Sequence, residues 1–361
     1  MTTLDIKTDC RHFNGYKPCQ PHKQRGVHCD DCDSYAPTQG DILIIKLEAA
    51  GEVLRNTPLL APIRRQFPRG RIFWLTSHPE LIPRREVFRV VDFDLAGILL
   101  LQDIEFDLLL SLDKDLEACA LANRLHAKVK KGFSQRSGVI VPFDDDSAPK
   151  WQTGVFDDLM KANTDHYLRE IFDICGYEFQ GEPYLLPEFT PPEVEGLDAD
   201  KPLVLLNTGA GDKWKPRIYS EAQWVRLARD LLADGREVII AGGPDEHDKN
   251  LRIAADAGAR YPGVYSYVDF IGLLSLADVV VTSVTFALHA AIGLQKKVVA
   301  LNNTFNRHEI HAYVETEILE PDVPCLMCYK QDFDQDCVRR HCMDMITPAR
   351  IRRRVDGLLS T

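Results

Sequence analysis

The stretch Asp41-Ile-Leu-Ile-Ile-Lys-Leu-Glu-Ala-Ala-Gly-Glu-Val-Leu-Arg-Asn-Thr-Pro-Leu-Leu60 predicts a buried strand, a turn of small residues and a helix. Residues 42–45 are an unbroken apolar run rich in β-branched side chains, which is typical of a strand covered on both faces. The small residues 49–51 allow the backbone to turn tightly. Apolar residues then recur at helical spacing as far as Leu60.

The carboxylate of Glu52 stands at this turn. In open α/β sheets, ligands bind at the carboxyl ends of parallel strands, so an acidic side chain at that place can serve as a base. The alternative is that Glu52 only favours the helix N-terminus by its charge. The segment alone leaves both interpretations open.

The composition indicates an ordinary globular protein. The 361 residues suit two domains, and the chain is 45% hydrophobic and 27% charged. A net charge of −11 argues against a general nucleic-acid binder. No uncharged apolar run approaches the ~18 residues of a membrane span, and the first residues lack the apolar core of a signal peptide. We therefore expect a cytoplasmic protein, with peripheral contact at the inner face of the membrane as an alternative.

Alternating strand and helix patterns predict an α/β protein with two Rossmann-like, doubly wound domains. Residues 39–186 form the first predicted domain and residues 187–345 the second. Five prolines in the segment 183–202 are typical of a domain boundary. A Cys-rich module, 1–38, and a closing helix, 346–361, flank them. Two such domains in tandem place a ligand cleft between them.

The predicted elements follow the periodicity of the apolar residues. Predicted strands cover 42–47, 71–75, 89–93, 108–112, 127–131, 203–206, 237–241, 277–282 and 297–301. Predicted helices cover 53–66, 116–125, 165–175, 220–233, 245–257, 286–294 and 348–359. The polar residues 144–163 are interpreted as an excursion lining the cleft or as a long surface loop.

A glycine-containing segment follows the first strand of the second domain. Thr208 offers a hydroxyl, Gly209 and Gly211 allow a ligand close to the backbone, and Lys213 brings a point charge for a phosphate. A turn of this kind is weak evidence by itself.

Two further strand ends in this domain carry polar groups. Glu246 follows a Gly-Gly-Pro turn and suits a ribose diol, or else only the helix dipole. Thr285 precedes a helix whose free N–H groups favour an anion. His289, in that helix, is either structural or part of the site. Together the three strand ends predict a site for a nucleotide diphosphate.

These motifs, in this order, resemble glycosyltransferase family 9, the ADP-heptose heptosyltransferases, over residues 41–361. The matching parts are 51–54, 57–60, 212–213, 242–246, 280–283 and 288–289. The resemblance implies a GT-B fold, in which two Rossmann-like domains face a cleft. It places the nucleotide sugar on the second domain and the acceptor on the first, and it implies an inverting transfer without a catalytic metal.

The resemblance also implies roles for individual residues. Glu52 matches the acidic base of the family, which is usually Asp, and Lys213 is the second expected catalytic residue. Thr208, Gly209 and Lys213 match diphosphate contacts, Glu246 matches a ribose contact, and Thr285 and His289 match the leaving-group loop. This chain departs from the family at Val284, Phe286 and Glu48, where an Asp, a small residue and a Gly are usual.

The expected function is transfer of a sugar, with heptose from ADP-heptose as the leading donor, to a lipopolysaccharide-core or related glycan acceptor, lipid-linked or free. One alternative is a different nucleotide sugar or a protein acceptor, marked by Val284 and Phe286. Another is a metal-stabilised, non-catalytic binding or scaffold protein.

Eight of the ten cysteines form two groups of four with metal-ligand spacing. Their spacings are C-x8-C-x9-C-x2-C and C-x2-C-x8-C-x4-C. The first group is Cys10, Cys19, Cys29 and Cys32, and the second is Cys325, Cys328, Cys337 and Cys342.

Four thiols suffice for a tetrahedral structural site. We expect zinc or iron at one or both groups, with an iron–sulfur cluster or unligated thiols as alternatives, and with His22 or His28 able to replace a thiol. Some members of the resembled family carry a four-cysteine iron site that shapes oligomers, which leaves a homo-oligomer open here.

Overall fold

A computed structural model describes residues 5–211, 216–328, 337 and 341–360 of the chain. The chain divides into two compact units. The first unit comprises Met1–Glu48, Pro58–Trp151 and Phe172–Glu178, and the second comprises Ala49–Thr57, Gln152–Ile171 and Phe179–Thr361. The helix that carries Glu52 therefore belongs to the second unit, whereas the strand before it belongs to the first.

The first unit contains a six-stranded sheet in the order β3-β2-β1-β4-β5-β6. All pairs are parallel except β5 with β6. Its first five strands have the order found in Rossmann folds, with a switch point between β1 and β4. The strands are β1 Asp41–Ile45, β2 Arg71–Thr76, β3 Arg89–Asp92, β4 Glu105–Ser111, β5 His126–Arg136 and β6 Val139–Pro142.

The second unit contains a five-stranded, fully parallel sheet in the order β11-β10-β9-β7-β8. This is the other common doubly wound order, and its switch point lies between β7 and β9. The strands are β7 Leu203–Asn207, β8 Glu237–Ala241, β9 Val279–Ser283, β10 Lys297–Leu301 and β11 Thr316–Leu319. Their apolar side chains, with those of the helices around them, form a continuous buried core.

Helices connect the strands in both units. They are α1 Gln20–Arg25, α2 Ala50–Asn56, α3 Leu60–Gln66, α4 Leu95–Gln102, α5 Leu116–Arg124, α6 Ala148–Thr153, α7 Asp157–Ala162, α8 Tyr167–Cys175, α9 Glu221–Ala233, α10 His247–Ala257, α11 Tyr267–Ser275, α12 Phe286–Gly293 and a C-terminal helix, Pro348–Ser360. Among the described residues, none of the helices combines the length and the apolar character that crossing a bilayer requires.

The predicted α/β class with two doubly wound sheets is confirmed. Several details were wrong. The helix predicted over 53–66 is two helices separated by a 3-10 turn, Thr57–Leu59, because Pro58 has no N–H to donate. The segment 144–163 contains α6 and α7 rather than only loop. The Cys-rich module 1–38, for which no helix was predicted, contains the short helix α1. The domain boundaries and the facing cleft stay predictions.

Candidate active site

Thr208 lies directly after β7, at the switch point of the second sheet. Its N–H donates to the carbonyl oxygen of Ala241 at 2.9 Å, and its Oγ1 donates to Oδ1 of Asn250 at 2.5 Å. Both side chains are buried. Lys249 Nζ donates to the Thr208 carbonyl oxygen at 3.1 Å. The end of β7 is therefore tied to α10, which follows β8.

Glycines bring the loops after β7 and β8 together. A Cβ added to Gly209 would lie 3.2 Å from Oε2 of Glu246, and one added to Gly242 would lie 2.7 Å from Nδ2 of Asn250. The same carboxylate oxygen of Glu246 accepts a hydrogen bond from the N–H of Gly243 at 2.9 Å. Glu246 thus holds its own turn and also lies beside Gly209.

A buried amide connects β7 with the loop after β9. Nδ2 of Asn207 lies 2.9 Å from Oγ1 of Thr282 and 3.4 Å from Oγ1 of Thr285. Thr285 has an extended backbone and immediately precedes α12. The first N–H groups of a helix have no partner within the helix and carry positive partial charge. This arrangement presents hydroxyls and a helix N-terminus at one edge of the sheet, where an anion is favoured.

Helix α12 packs directly on α2. A Cβ added to Gly51 would lie only 2.7 Å from Cδ2 of His289 and 3.4 Å from Cα of Phe286. Glycine at position 51 therefore allows the His289 ring to lie against the α2 backbone. Glu52 and His289 therefore lie on two helices that pack against each other, both within the second unit.

His289 is neutral at physiological pH. Only 7% of the residue is exposed, and burial, together with the nearby charge of Arg55, lowers its pKa to about 3. The charge of Glu52 acts in the opposite direction but is a smaller effect. Within the described part of the chain, Nδ1 of His289 has no hydrogen-bond partner. A neutral imidazole donates with one ring nitrogen and accepts with the other.

Arg55 holds the carboxylate of Glu52. Its Nη1 donates to Oε1 of Glu52 at 2.9 Å, three residues earlier on α2, and its guanidinium carbon lies 3.3 Å from the ring centre of Tyr167. Burial opposes the charge of Arg55, but Glu52, Tyr167 and other neighbours outweigh it and raise its pKa. The Glu52 side chain stays 32% exposed. The pair therefore offers an oriented carboxylate that solvent or a substrate can reach.

A buried ion pair lies at the switch point of the first sheet. Lys46 Nζ contacts Oδ1 of Asp113 and donates to the carbonyl oxygen of Glu48 at 2.5 Å. The other oxygen of Asp113 accepts from the N–H of Leu47. Burial raises the pKa of Asp113 against the attraction of Lys46. The pair fixes the backbone of residues 46–48 after β1.

The structure describes every predicted catalytic and nucleotide-sugar residue except Lys213. Thr208, Gly209, Glu246 and Thr285 lie around the ends of β7, β8 and β9, and Glu52 and His289 lie on the packed helices α2 and α12. Lys213 and the turn 212–213 lie outside the described residues.

Two of the departures from the family pattern, Val284 and Phe286, have well-defined contacts in the structure. Val284 contributes its carbonyl oxygen, which accepts from Nη1 of Arg217 at 2.9 Å. The ring of Phe286 packs 4.6 Å from that of Tyr267 and 6.2 Å from that of Phe270, measured between centroids.

Sequence reasoning missed Arg55, Asn207 and Asn250. The signal for Arg55 was present, because residues three apart on a helix are neighbours and Arg55 follows Glu52 by three. Asn207 and Asn250 had no such local signal, because their partners are 75 and 42 residues away along the chain.

Within the described residues, none of the ten cysteines forms a disulfide. Over the described residues, no three or more His, Cys, Asp or Glu side chains come together closely enough to hold a metal. The C-terminal thiols are nonetheless close enough to interact: burial, and then the charges of Cys337, Cys342 and Cys325, raise the pKa of Cys328 to about 11. Asn303 Nδ2 also donates to Sγ of Cys342 at 3.1 Å.

The N-terminal group offers weaker signs of a site. Its four cysteines are half-buried, and the rings of His22 and His28 stack with centroids 5.6 Å apart. Nδ1 of His22 lies 2.9 Å from the carbonyl oxygen of Val27. Nothing in this geometry assigns a ligand set, so the predicted metal at these cysteines stays a prediction.

Solved structures with the same fold are numerous. A family 9 glycosyltransferase from Veillonella parvula superposes with a TM-score of 0.66 at 16% identity, over 89% of this chain and 97% of that one. The ADP-heptose lipopolysaccharide heptosyltransferase II of Escherichia coli gives 0.61 at 15% identity, over 88% and 98%. The iron-containing dodecameric glycosyltransferase TibC from enterotoxigenic E. coli gives 0.59 at 13% identity, over 90% and 79%.

These likenesses confirm the predicted GT-B fold class. A search of curated proteins found no match. The profile of glycosyltransferase family 9 (heptosyltransferase) matches residues 100–333, which is more than half of the chain. The chain therefore belongs to glycosyltransferase family 9 and is a glycosyltransferase.

Proposed function

We propose that this protein transfers a sugar from a nucleotide diphosphate donor, with ADP-heptose as the leading candidate, to a lipopolysaccharide-core or related glycan acceptor, with inversion and without a catalytic metal. The observation that carries the proposal is the pairing of α2 with α12. It brings an oriented, reachable carboxylate, Glu52, next to a neutral, buried His289 in the unit that also holds the hydroxyls of Thr208, after β7, and of Thr282, in β9. A similar protein is named as acting with ADP-heptose on lipopolysaccharide.

The proposed chemistry is a single displacement. The Glu52 carboxylate accepts the proton of an acceptor hydroxyl, whose oxygen attacks the anomeric carbon of the sugar. The bond from that carbon to the diphosphate oxygen breaks, and the diphosphate leaves with the electron pair. Attack opposite the leaving group inverts the configuration.

The leaving diphosphate gains one negative charge as the bond breaks, and the protein has to stabilise it. The N–H groups at the start of α12, beside Thr285, and the backbone at Gly209 are suited to this task, because donors placed before the reaction need no reorganisation. Lys213 is the proposed cationic contact, and Glu246 the proposed ribose contact.

The substitution Glu52→Gln tests the assignment of the base. Gln keeps the size of the side chain and an oxygen that can accept from Arg55, but it cannot take a proton. We expect transfer to fall about 10²–10⁴-fold, while ADP binding measured by calorimetry stays within twofold. Glu48→Gln is the matched control, because Glu48 is an exposed carboxylate that pairs only weakly with His78. Transfer by Glu52→Gln close to the wild-type rate would reject Glu52 as the base.

Transfer of a different sugar, or transfer to a protein, is a second candidate. It is favoured by Phe286, whose ring packs with Tyr267 and Phe270 at the start of α12. Calorimetry with ADP, UDP, GDP and CDP would select the base of the donor. A wild-type protein that binds a nucleotide but neither transfers nor hydrolyses any donor would favour the scaffold alternative.

We also propose structural zinc or iron at the cysteine groups, since four thiols suit a tetrahedral site and a similar protein is described as iron-containing. That protein is also described as dodecameric, which supports testing this chain for a homo-oligomer by light scattering. Elemental analysis of protein purified without added metal, compared with Cys328→Ser and Cys29→Ser variants, would assign metal to each group. The proposed location is the cytoplasm or the inner face of the membrane.

A further inference from the structure

A pocket of about 290 Å³ lies in the first unit, between the Cys-rich segment and β3. Asn14, Tyr16 and Lys17 line one wall, and Arg84 and Arg89 line the other. Its volume is close to the lower end of the range for small-molecule sites, about 300–1,000 Å³. None of the residues of the candidate active site takes part in it.

The charge of this pocket opposes that of the protein. Lys17, Arg84 and Arg89 bring three positive charges, and the described residues that line the pocket include no carboxylate. The chain as a whole has a net charge of −11. Among the described residues, no hydrogen-bond acceptor or carboxylate partners the guanidinium of Arg84 or Arg89. Positive charge gathered in a concave site raises the local concentration of anions.

The walls of the pocket are held by packing. The N–H of Phe88 donates to the carbonyl oxygen of Ile72 at 2.8 Å, the Phe88 ring packs 5.3 Å from that of Phe73, and Arg89 starts a strand paired with β2. On the opposite wall, Oδ1 of Asn14 accepts from the N–H of Lys17 at 3.2 Å. Lys17 Nζ lies 5.3 Å from the centre of the Tyr16 ring, which also lines the pocket.

We propose that this pocket binds a small phosphomonoester, such as a phosphorylated sugar. A phosphomonoester carries about −1.5 to −2 charges at pH 7, so it neutralises the three cationic residues that line the pocket better than a carboxylate does. Arginine side chains suit it because their planar guanidinium groups can bind two phosphate oxygens at once. The apolar side chains of Val87 and Val90 and the ring of Tyr16 provide a surface for the uncharged body of the ligand. This binding is independent of the proposed transfer reaction.

The test is calorimetry on the full-length protein with glucose 6-phosphate, inorganic phosphate, acetate and glucose. We expect saturable binding of glucose 6-phosphate, weaker binding of inorganic phosphate, and none of acetate or glucose. Arg84→Gln and Arg89→Gln should each weaken the binding of glucose 6-phosphate about tenfold or more, because each variant loses hydrogen bonds from a charged donor to the phosphate.

Arg85→Gln is the matched control, because Arg85 is the exposed neighbour of Arg84 but does not line the pocket. Lys17→Gln, on the opposite wall, tests the site without changing β3. The Glu52→Gln variant should bind glucose 6-phosphate normally, which separates this site from the transfer reaction.

Three results would overturn the proposal. They are the absence of saturable binding of either phosphate, an equal loss in Arg85→Gln, and equal affinity for glucose and glucose 6-phosphate. Binding only to vesicles that contain phosphatidic acid, and to no soluble ester, would also reject a small-molecule site and indicate a lipid surface instead.

Discussion

His289 should make the protein sensitive to mild acid. In the unfolded chain a histidine has its ordinary pKa of about 6.5, whereas in the folded protein burial and Arg55 lower the pKa of His289 to about 3. Between these two values the unfolded state binds a proton that the folded state does not bind. The contribution of His289 to the free energy of unfolding is therefore fully present above pH 6.5, and it decreases as the pH falls toward 3. From pH 7 to pH 5 this one group should cost about 2 kcal/mol of the free energy of unfolding.

The assay compares urea unfolding of the wild type and His289→Gln at pH 7 and pH 5. Gln has no charge to lose, so the difference between the two pH values should be about 2 kcal/mol smaller in the variant. All other titrating groups cancel in this comparison. His247→Gln is the control for replacing a histidine by glutamine, because His247 is an exposed histidine of the same unit.

NMR spectroscopy measures the protonation of the His289 ring directly. The NMR signal of the His289 ring, assigned by its absence in His289→Gln, should not titrate between pH 5 and pH 8. A midpoint between pH 6 and pH 7, together with equal pH dependence of wild type and variant, would refute the buried neutral state of His289.

Three further substitutions test individual contacts of the site. Gly51→Ala should destabilise the protein by about 1–3 kcal/mol in thermal unfolding, because its Cβ would lie 2.7 Å from the buried His289 ring. Gly357→Ala is the control: it lies in the C-terminal helix with open space around it and should be neutral or stabilising. Arg55→Lys keeps the charge but loses the stacked, planar contact with Tyr167 that holds the partner of Glu52 in place. We expect kcat to fall about tenfold or more with unchanged ADP affinity. An unaltered kcat would show that Arg55 does not position Glu52. Thr208→Val should cost about 1–3 kcal/mol of stability, since it leaves Oδ1 of the buried Asn250 without its donor, and unfolding equal to wild type would contradict this hydrogen bond.

The sequence by itself determined most of the fold. The apolar run 42–45 became the central, fully buried part of β1, and the strand predicted over 237–241 has those bounds in the structure. Such runs are recognisable because burial on both faces demands apolar residues over a short, continuous stretch. The family was indicated by resemblance, through short motifs such as 51–54 and 242–246 that can be recognised in the sequence. Helix α11 and strand β11 were missed, because their weak local patterns are stabilised by packing.

Only the tertiary structure decided how the chemical groups combine. Gly51 and His289 are far apart in the chain, and their contact depends on the packing of α2 against α12. The neutral state of His289 follows from burial, which no single residue type encodes. The cationic pocket likewise joins Lys17 to Arg84 and Arg89 across the first unit. Periodicity reports which face of an element is buried, but the partner of that face is set by long-range packing.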